Sequence, residues 1–308
     1  MNIVLMGQAD FGAACLQALV EKGKTVAGVF APPLIPGKKA EALGAAAGKL
    51  GIPVLPLERM REQKAYQDFI SLSPDLSIMA YVNDIIPGRI INYPRFGTIH
   101  YHPSLLPKHR GRSSINWAVI DGDTKGGLSI IWADEGIDTG PILLQKEVEI
   151  APDDTTGSLY FNKLFPMGVE AVVEAVELIE RGVAPRIPQD DSQATYEPPC
   201  TEERVTIDWS QPAKKLYNLI RGANPQPGAV AYLRGSKVKI FDCEPRPELR
   251  GKSPGEVVGT SEQGFVISTA RGSILVKRVQ PEGSPKISAP EYIQSVSLKA
   301  GDRFDLVS

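Results

Sequence analysis

Residues 97–107 read GTIHYHPSLLP, a short apolar stretch that carries two histidines and stops at a proline-rich turn. In an extended strand, residues two apart point to the same face, so His100 and His102 should project together, with Tyr101 on the other face. The chain has three histidines, and the third, His109, lies just beyond the turn. Two imidazoles at the end of a strand predict a candidate active site; histidines with a purely structural role are the alternative.

The residues before this stretch alternate short apolar runs with helical segments. Ile3 to Met6 is a continuous apolar run, typical of a strand buried on both faces of a parallel sheet, and a glycine turn and a helix follow it. A proline-containing loop is predicted over residues 31–37. The alternation predicts an α/β fold: a doubly wound, mostly parallel, Rossmann-like sheet. Ligands of such sheets bind beyond the carboxyl ends of the strands, where the two histidines fall.

The glycine turn after the first strand does not identify a nucleotide site. It reads Gly7-x4-Gly12, which lacks the middle glycine of the dinucleotide fingerprint. It also lacks the Lys-Ser/Thr pair of a P-loop. A tight turn between strand and helix and the close approach of a ligand both remain open for it.

An antiparallel strand pair is predicted after the histidines, from Gly127 to Ala133 and from Pro141 to Glu147, as an extension of the parallel sheet. An acidic, glycine-flanked loop, Asp134 to Gly140, connects the two strands. An amphipathic helix opened by Asp or Thr follows, to about Arg181.

The second half of the chain has a different composition. Pro185 to Pro199 is rich in proline and polar residues and is predicted to be a linker. From Gly228 onward, short strands separated by glycine and proline turns predict a small β-barrel-like, OB-like domain. The predicted domains are therefore a catalytic domain, 1–200, and a small C-terminal β domain, 201–308.

Composition bounds the class of protein. The 308 residues are 42% hydrophobic and 23% charged, with a formal net charge of -2, which is typical of a globular protein and gives no electrostatic case for coating a nucleic acid. Cys15, Cys200 and Cys243 are far apart and have no zinc spacing, so reduced thiols are expected. Because neither a signal peptide nor a membrane span is evident, we expect a cytoplasmic protein without membrane contacts.

Three polar groups are predicted to converge: His100, His102 and a carboxylate from the loop Asp134 to Asp138. In one interpretation His102 is a general acid/base, Asp138 sets its tautomer and raises its pKa, and His100 donates to an oxyanion during attack on a carbonyl. In the other, the two histidines and one carboxylate form a metal-binding facial triad. Nothing else in the sequence supports a metal, and none is expected.

A compact basic cluster, Lys108-His109-Arg110-Gly111-Arg112, follows the histidine turn. It is either solvated surface or an anion site, since it immediately precedes a predicted helix N-terminus.

The combination His102-Pro103-Ser104-Leu105-Leu106-Pro107, Arg110-Gly111 and Asp138-Thr139-Gly140 resembles the signature of the folate-dependent formyltransferases. Within that family the resemblance is closest to the amino-terminal hydrolase domain of 10-formyltetrahydrofolate dehydrogenase, and methionyl-tRNA formyltransferase is also similar. Further shared motifs are Gly7-Gln8-x-x-Phe11-Gly12, Ser114-Ile115-Asn116-Trp117, Trp132-Ala133-Asp134 and Leu143-Leu144-Gln145-Lys146.

The resemblance implies that His102 and Asp138 are catalytic and that 10-formyltetrahydrofolate is the formyl donor. Most transferases of the family have Asn two residues before the catalytic histidine, where this chain has His100. The folate contacts that the resemblance implies are Asp84, Ile85, Ile86, Ser104, Leu105, Leu106, Pro107, Asp134, Glu135 and Gly136.

The implied reaction gives tetrahydrofolate and either formate or a formylated acceptor. The alternatives are a methionyl-tRNA or amino-sugar N-formyltransferase, or a non-catalytic folate-binding module. The acceptor, water or an amine, is open, although the net charge and the acidic pair Asp190-Asp191 argue against tRNA. The chain is expected to be either a free-standing enzyme or one domain of a larger dehydrogenase.

Overall fold

The computed structural model describes residues 1–33, 41–249, 251 and 253–306. The loop predicted over residues 31–37 therefore lies outside the described residues from position 34 onward. The chain divides into two compact units. The first comprises Met1–Gly111, Gly127–Val148 and Phe161–Tyr196, and the second comprises Arg112–Gly126, Glu149–Tyr160 and Glu197–Ser308. Across the described residues, every helix is too short or too polar to span a membrane.

The strands up to residue 197 are β1 (Asn2–Gly7), β2 (Thr25–Ala31), β3 (Val54–Pro56), β4 (Leu76–Ala80), β5 (Thr98–His102), β6 (Arg110–Gly111), β7 (Lys125–Trp132), β8 (Ile142–Glu149) and β9 (Tyr196–Glu197). The later strands are β10 (Ala229–Leu233), β11 (Ser236–Arg246), β12 (Val257–Ser261), β13 (Gly264–Ser268), β14 (Ser273–Pro281) and β15 (Ile287–Ser288). The α-helices are α1 (Ala9–Glu21), α2 (Ala42–Lys49), α3 (Gln63–Ser71), α4 (Gly88–Ile91), α5 (Ser114–Asp121), α6 (Thr156–Leu159), α7 (Phe165–Glu180), α8 (Ala213–Gly222) and α9 (Ala289–Val296).

A seven-stranded sheet in the order β3-β2-β1-β4-β5-β7-β8 forms the centre of the first unit. The strands from β3 to β5 pair in parallel, and β7 pairs with β5 in the antiparallel sense. The predicted doubly wound, mostly parallel sheet with an antiparallel extension is therefore confirmed.

Both faces of this sheet are buried, as the continuous apolar run in β1 predicts. Ile3 and Leu5 belong to one core cluster, whereas Val4 and Met6 belong to another. This alternation follows from the period of two along a strand, and it requires cover on each face. Gly7 ends β1 where the chain passes so close to β4 that a Cβ would collide with the carbonyl oxygen of Ala80.

Aromatic packing on one face of β5 fixes which side chains it presents on the other. The ring of Tyr101 lies 4.3 Å from that of Phe11 in α1, which in turn contacts Phe165 of α7 edge-on at 5.6 Å. Tyr101 is therefore committed to the core, and its neighbours His100 and His102 point to the opposite face.

The predicted amphipathic helix is present but not continuous. Thr155 caps it through a capping box with Ser158. A π-helical turn, Tyr160–Leu164, separates α6 from α7. Such π-turns are rare and frequently occur near functional sites.

The second unit is built on an antiparallel sheet in the order β10-β11-β14-β13-β12, with β15 paired to β14. Its core contains the fully buried Trp209, Phe265 and Phe304, and the last two rings stack with centroids 5.8 Å apart. The prediction of a separate β domain in the second half of the chain is confirmed.

Candidate functional site

The two histidines of β5 lie together as strand geometry requires. Their ring centroids are 6.3 Å apart. The side chain of His102 is 5% exposed and that of His100 is 14% exposed, so both rings are largely withdrawn from water. Withdrawal from water strengthens any electrostatic interaction that they make.

The carboxylate of Asp138 lies between the two imidazoles. Its Oδ1 is 3.3 Å from Nε2 of His100, and its Oδ2 is 3.5 Å from Nδ1 of His102. Oδ2 also accepts a hydrogen bond from the backbone N–H of Gly111, at 2.8 Å. The predicted convergence of two histidines with a carboxylate from the acidic loop is therefore present in the structure.

The tautomer of His102 follows from its second contact. Its Nε2 lies 2.8 Å from the backbone carbonyl oxygen of His109. Because a carbonyl can only accept, Nε2 must carry a proton, and we assign it on that ground. In the neutral ring Nδ1 is then unprotonated and faces Asp138.

Burial and neighbouring charges shift the pKa values of His102 and Asp138 in opposite directions. Burial lowers the pKa of His102 below its ordinary value, and the charge of Asp138 only partly offsets this effect. For Asp138 itself burial would raise the pKa, but the hydrogen bond with His100, the charge that His102 carries when protonated and the Gly111 amide hold it well below its usual range. The site therefore combines a neutral imidazole with an ionised carboxylate at neutral pH.

His100 uses one ring nitrogen on Asp138 and keeps the other without a hydrogen-bond partner. Its Nδ1 is buried, and no described residue pairs with it. A buried unpaired nitrogen is costly in a folded protein unless it has a ligand. Nδ1 is therefore available to a group that enters the site.

The same three side chains also form a possible metal-ligand set. One ligand atom from each of His100, His102 and Asp138 lies within 4.8 Å of the others. Two imidazole nitrogens and a carboxylate oxygen are the donors of a facial triad. The geometry thus accommodates both interpretations drawn from the sequence.

A cavity of about 270 Å³ lies in the first unit, lined by Arg61, Ile85, Ile86, Pro87, Gly88 and Glu135. Three of the predicted folate contacts, Ile85, Ile86 and Glu135, thus come together, although Glu135 is 49 positions after Ile86 in the sequence. The segment at Gly88 and the acidic loop lie very close together. A Cβ on Gly88 would collide with the Glu135 carboxylate.

The acidic loop is held by one of its own side chains. Asp134 accepts hydrogen bonds from the Gly136 amide at 3.0 Å and from the Thr139 hydroxyl at 2.8 Å. Asp134, Gly136 and Asp84 are not among the residues that line the cavity. In this structure Asp134 shapes the loop.

The predicted contacts in the histidine turn, Ser104, Leu105, Leu106 and Pro107, are also outside the cavity lining. The Ser104 hydroxyl donates to the Lys108 carbonyl at 2.7 Å. Leu106 is buried, its N–H donates to the Ser129 hydroxyl at 3.1 Å, and its carbonyl accepts from Gln145 at 2.8 Å. The polar groups of this turn are largely engaged in holding the turn itself.

The basic cluster is not an anion site centred on Arg110. That side chain is 2% exposed and forms an ion pair with Asp191 at 2.7 Å. It also donates to Gln189 and to the Tyr196 hydroxyl. The prediction of an anion site is wrong for Arg110, because its charge is already paired within the protein. The paired residues lie about 80 positions away, so the local sequence does not reveal them.

Sequence reasoning missed several residues around the site. Gln189 donates to the carbonyls of Asp138 and Gly140 from within the segment predicted to be a linker. Arg61, Pro87 and Gly88 line the cavity. No local sequence pattern identifies these cavity residues or Gln189.

Comparisons with known proteins agree on one family. The family model described as Formyl transferase matches residues 1–176, and that described as Formyl transferase, C-terminal domain, matches residues 200–297. Mitochondrial 10-formyltetrahydrofolate dehydrogenase of Mus musculus is 40% identical over 314 residues, covering 96% of this chain and 33% of that protein. The cytosolic enzyme of Homo sapiens is 45% identical over 314 residues, covering 96% of this chain and 34% of that protein. The chain thus spans about a third of the length of these dehydrogenases.

A relative of matching length is methionyl-tRNA formyltransferase of Syntrophus aciditrophicus (strain SB), 34% identical over 306 residues and covering 98% of each chain. Among solved structures, HypX from Aquifex aeolicus in complex with tetrahydrofolic acid aligns with a TM-score of 0.68 at 22% identity, over 99% of this chain and 48% of that one. WlaRD, a sugar 3N-formyl transferase, aligns with a TM-score of 0.68 at 19% identity, over 92% of this chain and 99% of that one. At these identities the two structures show a shared fold.

Proposed function

The chain belongs to the formyl transferase family, and from that premise we propose that it removes the formyl group from 10-formyltetrahydrofolate. The products are tetrahydrofolate and either formate or a formylated amine. The observation that supports this most directly is the buried His102–Asp138 pair at the end of β5, where Nδ1 of His102 lies 3.5 Å from the carboxylate and Nε2 lies 2.8 Å from the His109 carbonyl oxygen. The tetrahydrofolic acid complex of the structural relative HypX and the names of the dehydrogenase relatives favour the same donor.

The chemistry required is acyl transfer from a formamide. A water or amine attacks the formyl carbon, a C–O or C–N bond forms, and the carbonyl oxygen becomes an oxyanion. His102 accepts the proton of the attacking group on Nδ1, and the adjacent Asp138 carboxylate stabilises the imidazolium that results. The bond from the formyl carbon to the folate nitrogen then breaks, and that nitrogen receives the proton from His102.

His100 is proposed as the donor to the oxyanion. A fixed donor aimed at a developing charge is worth several kcal/mol, about 10²- to 10³-fold in rate. The position supports this role, since Nδ1 is buried and has no partner among the described residues. Donation from Nδ1 requires a hydrogen on that nitrogen, while Nε2 of the same ring lies 3.3 Å from the Asp138 carboxylate.

The folate would bind across the cavity at Ile85, Ile86 and Glu135. An apolar floor with a few polar groups is the usual composition of a cofactor site. Glu135 provides an acceptor for ring N–H groups, and Arg61 provides a cation for the carboxylates of the folate tail. Glu135 lies three residues before Asp138, so the acidic loop would contribute to both donor binding and catalysis.

The identity of the acceptor separates two candidate functions. Hydrolysis to formate follows the dehydrogenase relatives, which include the one 45% identical to this chain. Transfer to an amine follows the methionyl-tRNA formyltransferase relative, which matches along 98% of both chains. We place hydrolysis first because the identity is higher and the net charge of -2 does not favour a polyanionic acceptor.

The deciding experiment is product analysis. The purified protein is incubated with 10-formyltetrahydrofolate alone, with methionyl-tRNA and with an amino-sugar nucleotide, and tetrahydrofolate, formate and formylated products are quantified. Formate without an acceptor supports hydrolysis, and product only with an amine supports transfer. Tight folate binding with no product in any arm would overturn the enzymatic proposal in favour of a folate-binding module.

A further inference from the structure

Residues 185–196, here called the strap, lie against the loop that carries Asp138. Their backbone pairs with β8, where Ile142 and Ile187 exchange hydrogen bonds of 2.8 and 2.9 Å. The guanidinium of Arg186 stacks on the ring of Trp132 at 3.8 Å. The strap is therefore an ordered part of the first unit, although its composition predicts a linker.

Gln189 is the strap residue that reaches the acidic loop. Its Nε2 donates to the carbonyl oxygens of Asp138, at 2.8 Å, and of Gly140, at 2.7 Å. Its Oε1 accepts from Nη2 of Arg110 at 2.8 Å. Because two carbonyls face one end of the amide and a guanidinium faces the other, only one orientation of the amide satisfies all of these contacts.

Arg110 in turn is held from several sides. It is almost fully buried, pairs with Asp191 at 2.7 Å and donates to the Tyr196 hydroxyl at 2.8 Å. The next residue along the chain, Gly111, donates its amide to the Asp138 carboxylate. Of the two residues of β6, Gly111 thus contacts Asp138 directly, and Arg110 is connected to it through Gln189.

The backbone of the acidic loop needs such support. Asp138 has a φ of 56°, in the left-handed region that non-glycine residues seldom adopt. Unfavourable backbone conformations persist when the surroundings over-determine them. A Cβ on Gly140 would collide with the carbonyl oxygen of Trp132, so the loop also lies tightly against the end of β7.

The strap also contacts the segment that holds His102. The Thr195 hydroxyl accepts from the backbone N–H of His109 at 2.8 Å, and the Thr195 carbonyl accepts from the Arg110 N–H at 2.9 Å. His109 supplies the carbonyl that fixes the tautomer of His102. The strap is thus connected to both members of the proposed catalytic pair.

We propose that Gln189 is a positioning residue that fixes the Asp138 loop, and with it the place of the Asp138 carboxylate between the two imidazoles. This inference rests on the proposed function in that it takes Asp138 to act in catalysis. Gln189 acts through the loop backbone, since its side-chain amide donates to the Asp138 and Gly140 carbonyls. Small displacements of a catalytic group cost large factors in rate, so losing the two donor contacts should lower kcat about 10- to 100-fold.

The test compares Gln189→Leu and Gln189→Glu with Gln193→Leu. Gln193 is an exposed strap residue whose side-chain amide donates to Asp190, and it serves as the matched control. Gln189→Glu keeps the contact with Arg110 but has no N–H to donate to the two carbonyls. We expect both Gln189 variants to lose kcat with KM for the folate changed less than 3-fold, and Gln193→Leu to match the unchanged protein.

A second measurement does not depend on turnover. The Gly111 amide donates to the Asp138 carboxylate, so its hydrogen exchange reports whether that carboxylate is in place. Exchange at Gly111 should accelerate at least about 10-fold in Gln189→Leu while the midpoint of global unfolding stays within a few degrees. Unchanged exchange at Gly111 would overturn the positioning role of Gln189, even if the protein proved inactive on folate. Normal kcat in both Gln189 variants of an active protein would also overturn that role, and the proposed function would stand.

Discussion

The Nε2–H of His102 donates a hydrogen bond to the backbone carbonyl oxygen of His109, over 2.8 Å. This one contact decides which nitrogen can take part in proton transfer. Nε2 is committed to a group that can only accept, so Nδ1, on the side of Asp138, is the nitrogen that gains and loses a proton. The predicted roles of the neighbouring residues follow from that assignment.

Replacing Asp138 by Asn should remove catalysis without unfolding the protein. The amide has the size of the carboxylate but no charge, so it cannot stabilise an imidazolium at Nδ1 of His102. We expect kcat to fall about 10²- to 10⁴-fold, the usual range for loss of acid–base function. Steady-state kinetics and thermal unfolding provide the measurement. Glu262→Gln, which removes an exposed carboxylate, is the control; a near-normal rate for Asp138→Asn would remove Asp138 from the mechanism.

The stability of the protein should depend on pH through His102. Burial lowers the pKa of this ring in the folded state, whereas the unfolded value is about 6.5. Between the two values the unfolded chain binds more protons, so stability rises with pH in that window. The contribution is complete above about pH 6.5 and is lost as the pH falls through the lowered folded pKa.

Urea unfolding at a series of pH values, for the unchanged protein and for His102→Gln, isolates this effect. The difference between the two curves should change below about pH 6.5 and be constant above it. A difference that is independent of pH would show that His102 is not held neutral by burial.

Two substitutions of His100 test its proposed oxyanion role. His100→Asn retains a donor at that position, whereas His100→Leu retains none. If His100 donates to the oxyanion, Leu should lower kcat by about 10²-fold and Asn should recover most of that loss. Equal losses in the two variants would instead assign His100 to supporting Asp138, which its Nε2 contacts at 3.3 Å.

The thiols should be inert, in agreement with the absence of any cysteine from the proposed chemistry. Burial raises the pKa of Cys200 to about 11, and burial also raises the pKa values of Cys15 and Cys243. At pH 8 the thiolate fraction of Cys200 is then on the order of 10⁻³. Treatment of the native protein with iodoacetamide should leave activity unchanged, with mass spectrometry as the check on modification. Rapid loss of activity would contradict this account.

The fold was predictable where the physical cause is local. The alternation along β5 places Tyr101 in the core and the two histidines opposite it, and the structure confirms both. The continuous apolar run of β1 likewise predicts a sheet covered on both faces. These predictions hold because side-chain direction in a strand depends only on the period of two.

The parts of the site that were missed depend on contacts between distant segments. Gln189 and Asp138 are 51 positions apart, and no local pattern indicates that they meet. The prediction that the strap is a linker is wrong. Its prolines and polar residues are typical of linkers, but contacts of Gln189 with Arg110 and of Arg186 with Trp132 hold it in place. Arg110 itself looked like an anion ligand, because sequence shows a charge but not the partners that bury it.

The cavity at Ile85 offers the last prediction, which separates binding from catalysis. Ile85 lines the cavity and is 65% exposed in this structure, so its apolar side chain is accessible to a ligand that enters the cavity. Truncation to Ala removes apolar surface that the folate would bury, worth about 1–2 kcal/mol. We therefore expect Ile85→Ala to raise KM for 10-formyltetrahydrofolate about 5- to 20-fold with kcat unchanged, because the contact exists equally before and during the reaction.

Val183→Ala is the matched control, since Val183 is 59% exposed and is not among the residues that line the cavity. If Ile85→Ala and Val183→Ala give the same KM, the folate does not bind against Ile85, and the proposal for that cavity fails while the roles of His102 and Asp138 stand.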